Sequence, residues 1–153
     1  MIKVLFICHG NICRSPMAEF VMKKIVDESG LSDSFEIASA ATSTEETGNP
    51  VYPPARKKLD ENGISCMGKT ARQLTRGDYE VYDYIVAMDH WNLGNIARII
   101  GEDTEQKVSL LLDYTETHRD VEDPWYTRDF DKAYDDILTG CKGLLGYLVR
   151  KGL

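Results

Sequence analysis

A chain of 153 residues with 18 Lys and Arg against 25 Asp and Glu carries a formal net charge of −7, which opposes non-specific nucleic-acid binding and leaves no polybasic face for a membrane surface. That length suits one domain, residues 1–153, able to bury a core without disulfides or metal. The four cysteines, at 8, 13, 66 and 141, show neither zinc spacing nor a dense disulfide framework, so a reduced, cytoplasmic setting is expected.

The first residues run straight into an apolar strand, Val4-Leu5-Phe6-Ile7, with no charged leader, long apolar segment or cleavage site. No stretch reaches membrane-spanning length, and a soluble, unprocessed protein is expected. Directly after the strand comes Cys8-His9-Gly10-Asn11-Ile12-Cys13-Arg14-Ser15-Pro16. A nucleophilic cysteine works as its thiolate. A tight loop of backbone N–H groups leading into a helix N-terminus stabilises negative charge both on sulfur and on a bound phosphoryl group. Arg14 adds a planar, permanently charged fork that grips two phosphoryl oxygens. Gly10 and Asn11 are residues able to take positive φ, Ser15 is a candidate N-cap, and Pro16 suits the first helical position.

Met17, Phe20, Val21 and Ile25 then recur at helical spacing, with Gly30 as the stop. Residues 35–38 form a short second strand, 39–53 a polar loop, and 54–62 a helix closed by Gly63. Residues 84–88 are a nearly all-apolar run, so this strand is buried on both faces. A helix follows at 91–100, a fourth strand at 108–111 and a long helix at 129–149. The basic runs Lys23-Lys24 and Arg56-Lys57-Lys58 read as solvated helix faces. Strands separated by helices imply right-handed crossovers. The fold expected is α/β, a small doubly wound, four-stranded parallel sheet with helices on both faces and ligands at the carboxyl ends of the strands. The Cys8 loop leaves the first of those ends, with Ser39 and Asp89 at the second and third.

At these residues the chain resembles the low-molecular-weight protein tyrosine phosphatases, over essentially its whole length. The family's Cys-x-Gly-Asn-x-Cys-Arg-Ser-Pro loop stands here as Cys8 to Pro16, and its later Asp-Pro-aromatic loop as Asp123-Pro124-Trp125-Tyr126. Ala71-Arg72-Gln73-Leu74 and Ala87-Met88-Asp89 are also similar to the family's segments. The resemblance implies a flavodoxin-like topology and hydrolysis of phosphotyrosine or small aryl phosphates through a phosphocysteine intermediate. Cys8 would attack phosphorus. The loop of His9, Gly10, Asn11, Ile12, Cys13, Arg14 and Ser15 would bind the phosphoryl oxygens. Asp123 would give the leaving phenolate its proton and then activate water, with Pro124 stiffening its loop.

Ser15 can hydrogen-bond the Cys8 sulfur, cap its helix or do both; by the same resemblance Asn11 holds an unusual backbone conformation with Ser39 as its partner, and Cys13 either captures oxidised Cys8 as a disulfide or fills space beneath the loop. Asp89 is either an active-site carboxylate or a cap of the following helix. Trp125 and Tyr126 are either one wall of an aryl cleft or core packing. The opposite wall departs from the family: Glu45 stands where many members place an aromatic, and Lys69 where many carry a histidine that supports the loop. Arsenate reductases on this fold add two later cysteines as a relay, but Cys66 and Cys141 are far apart and read as buried packing residues. Arginine phosphatases of the family tend to carry Thr where Ile12 stands, and a non-catalytic phosphate-binding module needs neither Cys8 nor Asp123. His9, His90 and His118 lack metal-ligand spacing. No cofactor or metal is expected. The expected partner is a phosphotyrosine-containing protein or aryl phosphate, met by a monomer.

Overall fold

Residues 1–152 are described by the structure, a computed structural model of the chain. Strand β1 (Ile2–Cys8) runs through the middle of a sheet whose order is β2-β1-β3-β4. Its neighbours are β2 (Phe35–Ala41) and β3 (Tyr84–Ala87), with β4 (Val108–Leu110) at one edge, and every pairing is parallel. Side chains of a strand alternate between faces, so a central strand covered on both sides is apolar at every position. Val4, Leu5, Phe6 and Ile7 are each 0 % exposed. Burying such side chains stabilises the fold by about 1.5–3 kcal/mol each, and a charge at any of them would break the sheet's centre.

Val4, Phe6 and Cys8 share a core with α1 (Arg14–Glu28), α2 (Pro53–Glu61) and α6 (Phe130–Arg150). Leu5 and Ile7 pack on the other face with Tyr79 of α3 (Arg76–Val81) and with Ile96 and Ile100 of α4 (His90–Ile100). The doubly wound α/β arrangement expected from the alternation of elements is the one observed. The chain leaves β1 for β2 on one side and returns to β3 on the other. A crevice opens at that reversal, outside the carboxyl ends of the strands, and the segment after Cys8 fills it. Among the described residues no helix is long and apolar enough to cross a membrane.

Three local expectations are corrected and one further helix is found. Helix α1 begins at Arg14, not Pro16, so Ser15 sits inside its first turn and is no N-cap; Cys13 occupies the cap position without a side-chain bond. Asn11 does take positive φ, at 60°, whereas Gly10 is absent from that region. Strand β2 continues to Ala41, which places Ser39 inside the strand opposite Phe6 rather than at its end. Helix α3 went unread because it is short and polar, yet Thr75 and Asp78 form a full capping box around its start. A 3₁₀ turn at Leu111–Tyr114 and a four-residue helix α5 (Pro124–Thr127) complete the crevice side.

Helix α6 approaches the Leu111–Tyr114 turn through glycines. A Cβ at Gly140 would be driven into the Leu111 side chain and one at Gly143 into the Tyr114 carbonyl oxygen, whereas one at Gly146 meets only the end of Arg150, 3.3 Å away. Alanine raises helix propensity by about 0.8–1.0 kcal/mol over glycine, but overpacking costs about 1–3 kcal/mol. Gly146→Ala should therefore raise the thermal midpoint, while Gly140→Ala and Gly143→Ala lower it. Equal shifts for all three in differential scanning calorimetry would refute this close approach.

Candidate active site

Beyond β1 the chain curls back over its own last residue. Asn11, in the left-handed conformation, turns its backbone N–H toward Cys8 Sγ at 3.3 Å, and Ser15 adds a second N–H at 3.4 Å. The Ser15 hydroxyl lies 3.0 Å from the same sulfur. Neighbouring segments clamp the loop: Thr42 N–H donates to the Cys8 carbonyl at 3.0 Å, Ser43 to that of His9 at 3.1 Å, and Tyr52 to that of Ile12 at 2.8 Å.

Behind the loop a buried relay fixes the direction of these bonds. The Asn11 side-chain amide donates one hydrogen to Ser15 Oγ at 2.7 Å and the other to Ser39 Oγ at 3.0 Å. Ser39 in turn donates to Glu19 Oε1 at 2.6 Å. With Ser15 Oγ accepting from Asn11, its own hydrogen is the one offered to Cys8 when the sulfur is a thiolate and has no hydrogen to give. Three donors thus converge on one sulfur, the arrangement that stabilises a thiolate. Lys69 closes the relay, donating to the Ser39 carbonyl at 2.9 Å and lying 3.5 Å from Glu19 Oε1. Burial pulls the Lys69 ammonium below its ordinary pKa, and the charge of Glu19 opposes that pull. Lys69 therefore occupies the supporting place that the resemblance assigned to a histidine. Glu19 escaped the sequence reading, although its spacing from Ser15 puts both on one face of α1.

Arg14 is 2 % exposed. One guanidinium nitrogen donates both to Asp89 Oδ2 at 2.7 Å and to the Val121 carbonyl at 2.8 Å, while the other lies 3.4 Å from Asp123 Oδ2. Burial by itself pulls its pKa down. The negative charges of Cys8, Asp123 and Asp89 reverse that effect and hold the group above its ordinary pKa. Asp89 pairs with Arg14 through one oxygen, and its other oxygen accepts from Asn92 N–H at 2.8 Å and caps α4. Val121 N–H donates to the Met88 carbonyl at 2.9 Å, pinning the loop before Asp123 to the end of β3. Asp123 caps α5 through Trp125 N–H at 2.9 Å.

These groups enclose a pocket of about 210 Å³ lined by Cys8, His9, Gly10, Ile12, Cys13, Arg14, Glu45, Glu46, Asp123, Trp125 and Tyr126. Asn11, Ser15, Ser39 and Asp89 do not line it; they stand behind it and orient what does. Trp125 and Tyr126 are 42 % and 82 % exposed, so both belong to the wall and not to the core. Trp125 leans on Tyr52 with ring centroids 4.8 Å apart. Across the mouth, Glu45 reaches the His9 ring at 2.5 Å and Glu46 accepts from Asn49 at 2.6 Å. Cys66 and Cys141 are buried and line no part of the pocket. Among the described residues no cluster of three or more His, Cys, Asp or Glu is placed to hold a metal ion.

The family model for low molecular weight phosphotyrosine protein phosphatase matches residues 3–152. The chain belongs to that family. It is 39 % identical over 153 residues to the low molecular weight protein-tyrosine-phosphatase YfkJ of Bacillus subtilis, spanning 99 % of this chain and 98 % of the relative. The crystal structure of YfkJ superposes with a TM-score of 0.96 at 38 % identity, covering 100 % of this chain and 98 % of that one. The low molecular weight phosphotyrosine protein phosphatase of Rattus norvegicus is 42 % identical over 147 residues, 93 % of this chain and 92 % of the relative.

Replacing Lys69 with methionine in this phosphatase family member would leave Glu19, whose side chain is 6 % exposed, with only the half-exposed Lys23 as counterion. The loss should be roughly 2 kcal/mol, short of the full penalty for breaking a buried pair because Lys23 remains. A melting point unchanged from wild type, with turnover of an aryl phosphate also unchanged, would show the relay to be dispensable.

Proposed function

We propose that the chain is a cysteine-dependent protein tyrosine phosphatase that hydrolyses phosphotyrosine and small aryl phosphates by two successive displacements at phosphorus. The observation that carries the reading is the convergence of Asn11 N–H, Ser15 N–H and Ser15 Oγ on the Cys8 sulfur, at the floor of the pocket that Arg14 and Asp123 also line. In the first step Cys8 attacks phosphorus in line, forming a phosphorus–sulfur bond as the bond to the phenolic oxygen breaks. Arg14 and the loop amides bind the three oxygens that carry charge throughout. Asp123 gives its proton to the departing phenolate. In the second step the same carboxylate takes a proton from water, which attacks phosphorus and releases Cys8 and inorganic phosphate. Ile12 and Trp125 offer apolar surface to an aryl ring, which supports an aromatic ester over phosphoarginine.

The working unit in this reading is one domain, residues 1–153, acting as a monomer; its last residue, Leu153, lies outside the described residues. A cytoplasmic, reducing location fits a site built on a free thiol beside a second one.

Cys8→Ser and Arg14→Ala should each lower kcat/KM for p-nitrophenyl phosphate by several orders of magnitude. Asp123→Asn should flatten the basic limb of the pH–rate profile and slow unactivated phenyl esters far more than the nitrophenyl ester. Substantial turnover by Cys8→Ser in the presence of EDTA would overturn the covalent route. Equal losses for both esters in Asp123→Asn would remove Asp123 as the acid, and faster release of phosphate from phosphoarginine than from phosphotyrosine peptides would redirect the substrate class.

Cys13 is the partner we assign to oxidised Cys8. Its thiol is pushed well above the ordinary range by burial, then by the negative charges of Cys8 and Asp123. Peroxide converts the Cys8 thiolate to a neutral sulfenic acid, which removes the first of those charges. Cys13 sulfur can then displace water from the Cys8 sulfur to give a disulfide that thiol reductant reopens. After identical peroxide pulses, dithiothreitol should restore far less activity to Cys13→Ser than to wild type. Full recovery of that variant would reduce Cys13 to a packing residue.

A further inference from the structure

A second depression opens from the active-site pocket and shares two of its residues, Ile12 and Glu46. It has a volume of about 440 Å³, an apolar floor that includes Pro50 and Tyr52, and a far end formed by Arg56 and Lys57 on α2. The two depressions adjoin at Ile12 and Glu46, and their linings are tied together there, since Tyr52 N–H is bonded to the Ile12 carbonyl at 2.8 Å and its ring packs against Trp125. Charge is ordered along it. Glu45 and Glu46 stand at the mouth, whereas the far end is cationic. Asp60 offsets Arg56 in part, from 3.9 Å, but Lys57 is exposed and forms no ion pair among the described residues.

Resting on the phosphatase reading above, we propose that this groove is a substrate subsite which takes the polypeptide flanking phosphotyrosine and selects an acidic residue a short distance from it. Arg56 and Lys57 lie one helical turn beyond Tyr52, about 6 Å along the axis, and their side chains reach further. An extended peptide advances about 3.3 Å per residue, so the acidic side chain belongs about two to four positions from the phosphotyrosine. An acidic residue immediately next to it meets Glu46 instead and is disfavoured. The basic run that reads as a solvated helix face in the sequence thus acquires a ligand, and the selectivity has a sign change along the peptide that a uniformly acidic rim would not produce.

The test uses phosphotyrosine peptides of neutral background carrying a single Asp at each position from one to four on either side, assayed with wild type, Lys57→Glu and Arg56→Glu/Lys57→Glu. Asp at two to four positions on one side should raise kcat/KM about two- to fivefold, the scale of an exposed ion pair, with the gain shrinking as salt rises. The charge reversals should invert that ranking while p-nitrophenyl phosphate turnover and melting temperature stay at wild-type values. An identical ranking in wild type and the reversed variants, with p-nitrophenyl phosphate still hydrolysed, would overturn the subsite alone. Failure of the wild type to hydrolyse either p-nitrophenyl phosphate or any of the peptides would overturn the phosphatase reading and the subsite with it.

Discussion

The site depends on one side chain held in an uncommon backbone conformation. Asn11 is the point where the loop reverses, and its amide has two hydrogens and one oxygen to place. The hydrogens go to Ser15 and Ser39, and the oxygen accepts from Arg72 N–H at 3.2 Å. With φ at 60°, the residue would relax toward the ordinary region if those three partners were lost. The Ser15 hydrogen would then lose its assigned direction and the Cys8 sulfur one of its donors. A short polar side chain tolerates this conformation better than a branched or bulky one. Only an amide also supplies two donors and an acceptor from one planar group.

A second constraint organises the opposite side of the cleft. Arg14 emerges from the first turn of α1, yet its guanidinium is fixed by groups from distant strand ends: Asp89 after β3 and the Val121 carbonyl, itself tethered to Met88. The loop that offers Asp123 is thereby referenced to the same carboxyl end of the central strands as the loop that offers Cys8. Precision of this kind comes from rigid elements and not from the loops themselves. The helix cap at Asp89 and the positioning of Arg14 are one structure, since the two carboxylate oxygens divide the tasks between them.

Much of this was legible in the sequence, for physical reasons that also explain what was not. The apolar run of β1, the helical spacing of α1 and the long α6 are periodic signals that tertiary contacts reinforce. The loop from Cys8 to Arg14 announces itself because few local purposes other than anion binding need that combination of residue types. Of the two roles read for Ser15 the cap fails and the contact with the Cys8 sulfur holds, because a residue type that caps helices from outside here serves inside the first turn, where the hydroxyl answers a sulfur and an amide rather than a backbone N–H. Strand β2 was read short because Ser39, Ala40 and Ala41 lack the bulk that marks a strand, although parallel pairing with β1 carries it through them. Glu19 was invisible because a charged residue on a helix is expected in water, and only its partners, the buried Ser39 and the part-buried Lys69, reveal why it is not.

The close seating of α6 has a bearing on how the chain reaches this state. Helix α1 is near the beginning of the chain, α6 is the last helix among the described residues, and the two pack against each other in the core that covers Val4 and Phe6. During synthesis the face of the sheet that carries Val4 and Phe6 waits for nearly all of this sequence before its cover is complete. The contacts joining them span most of the sequence, which places the fold among those whose rate is set by long-range closure and not by local propensity. Until that closure Phe6 and its neighbours stay accessible to other chains, and the thiols at positions 8 and 13 have no walls around them. The ribosome-bound chain is therefore the stage at which this protein is most exposed to aggregation and to oxidation.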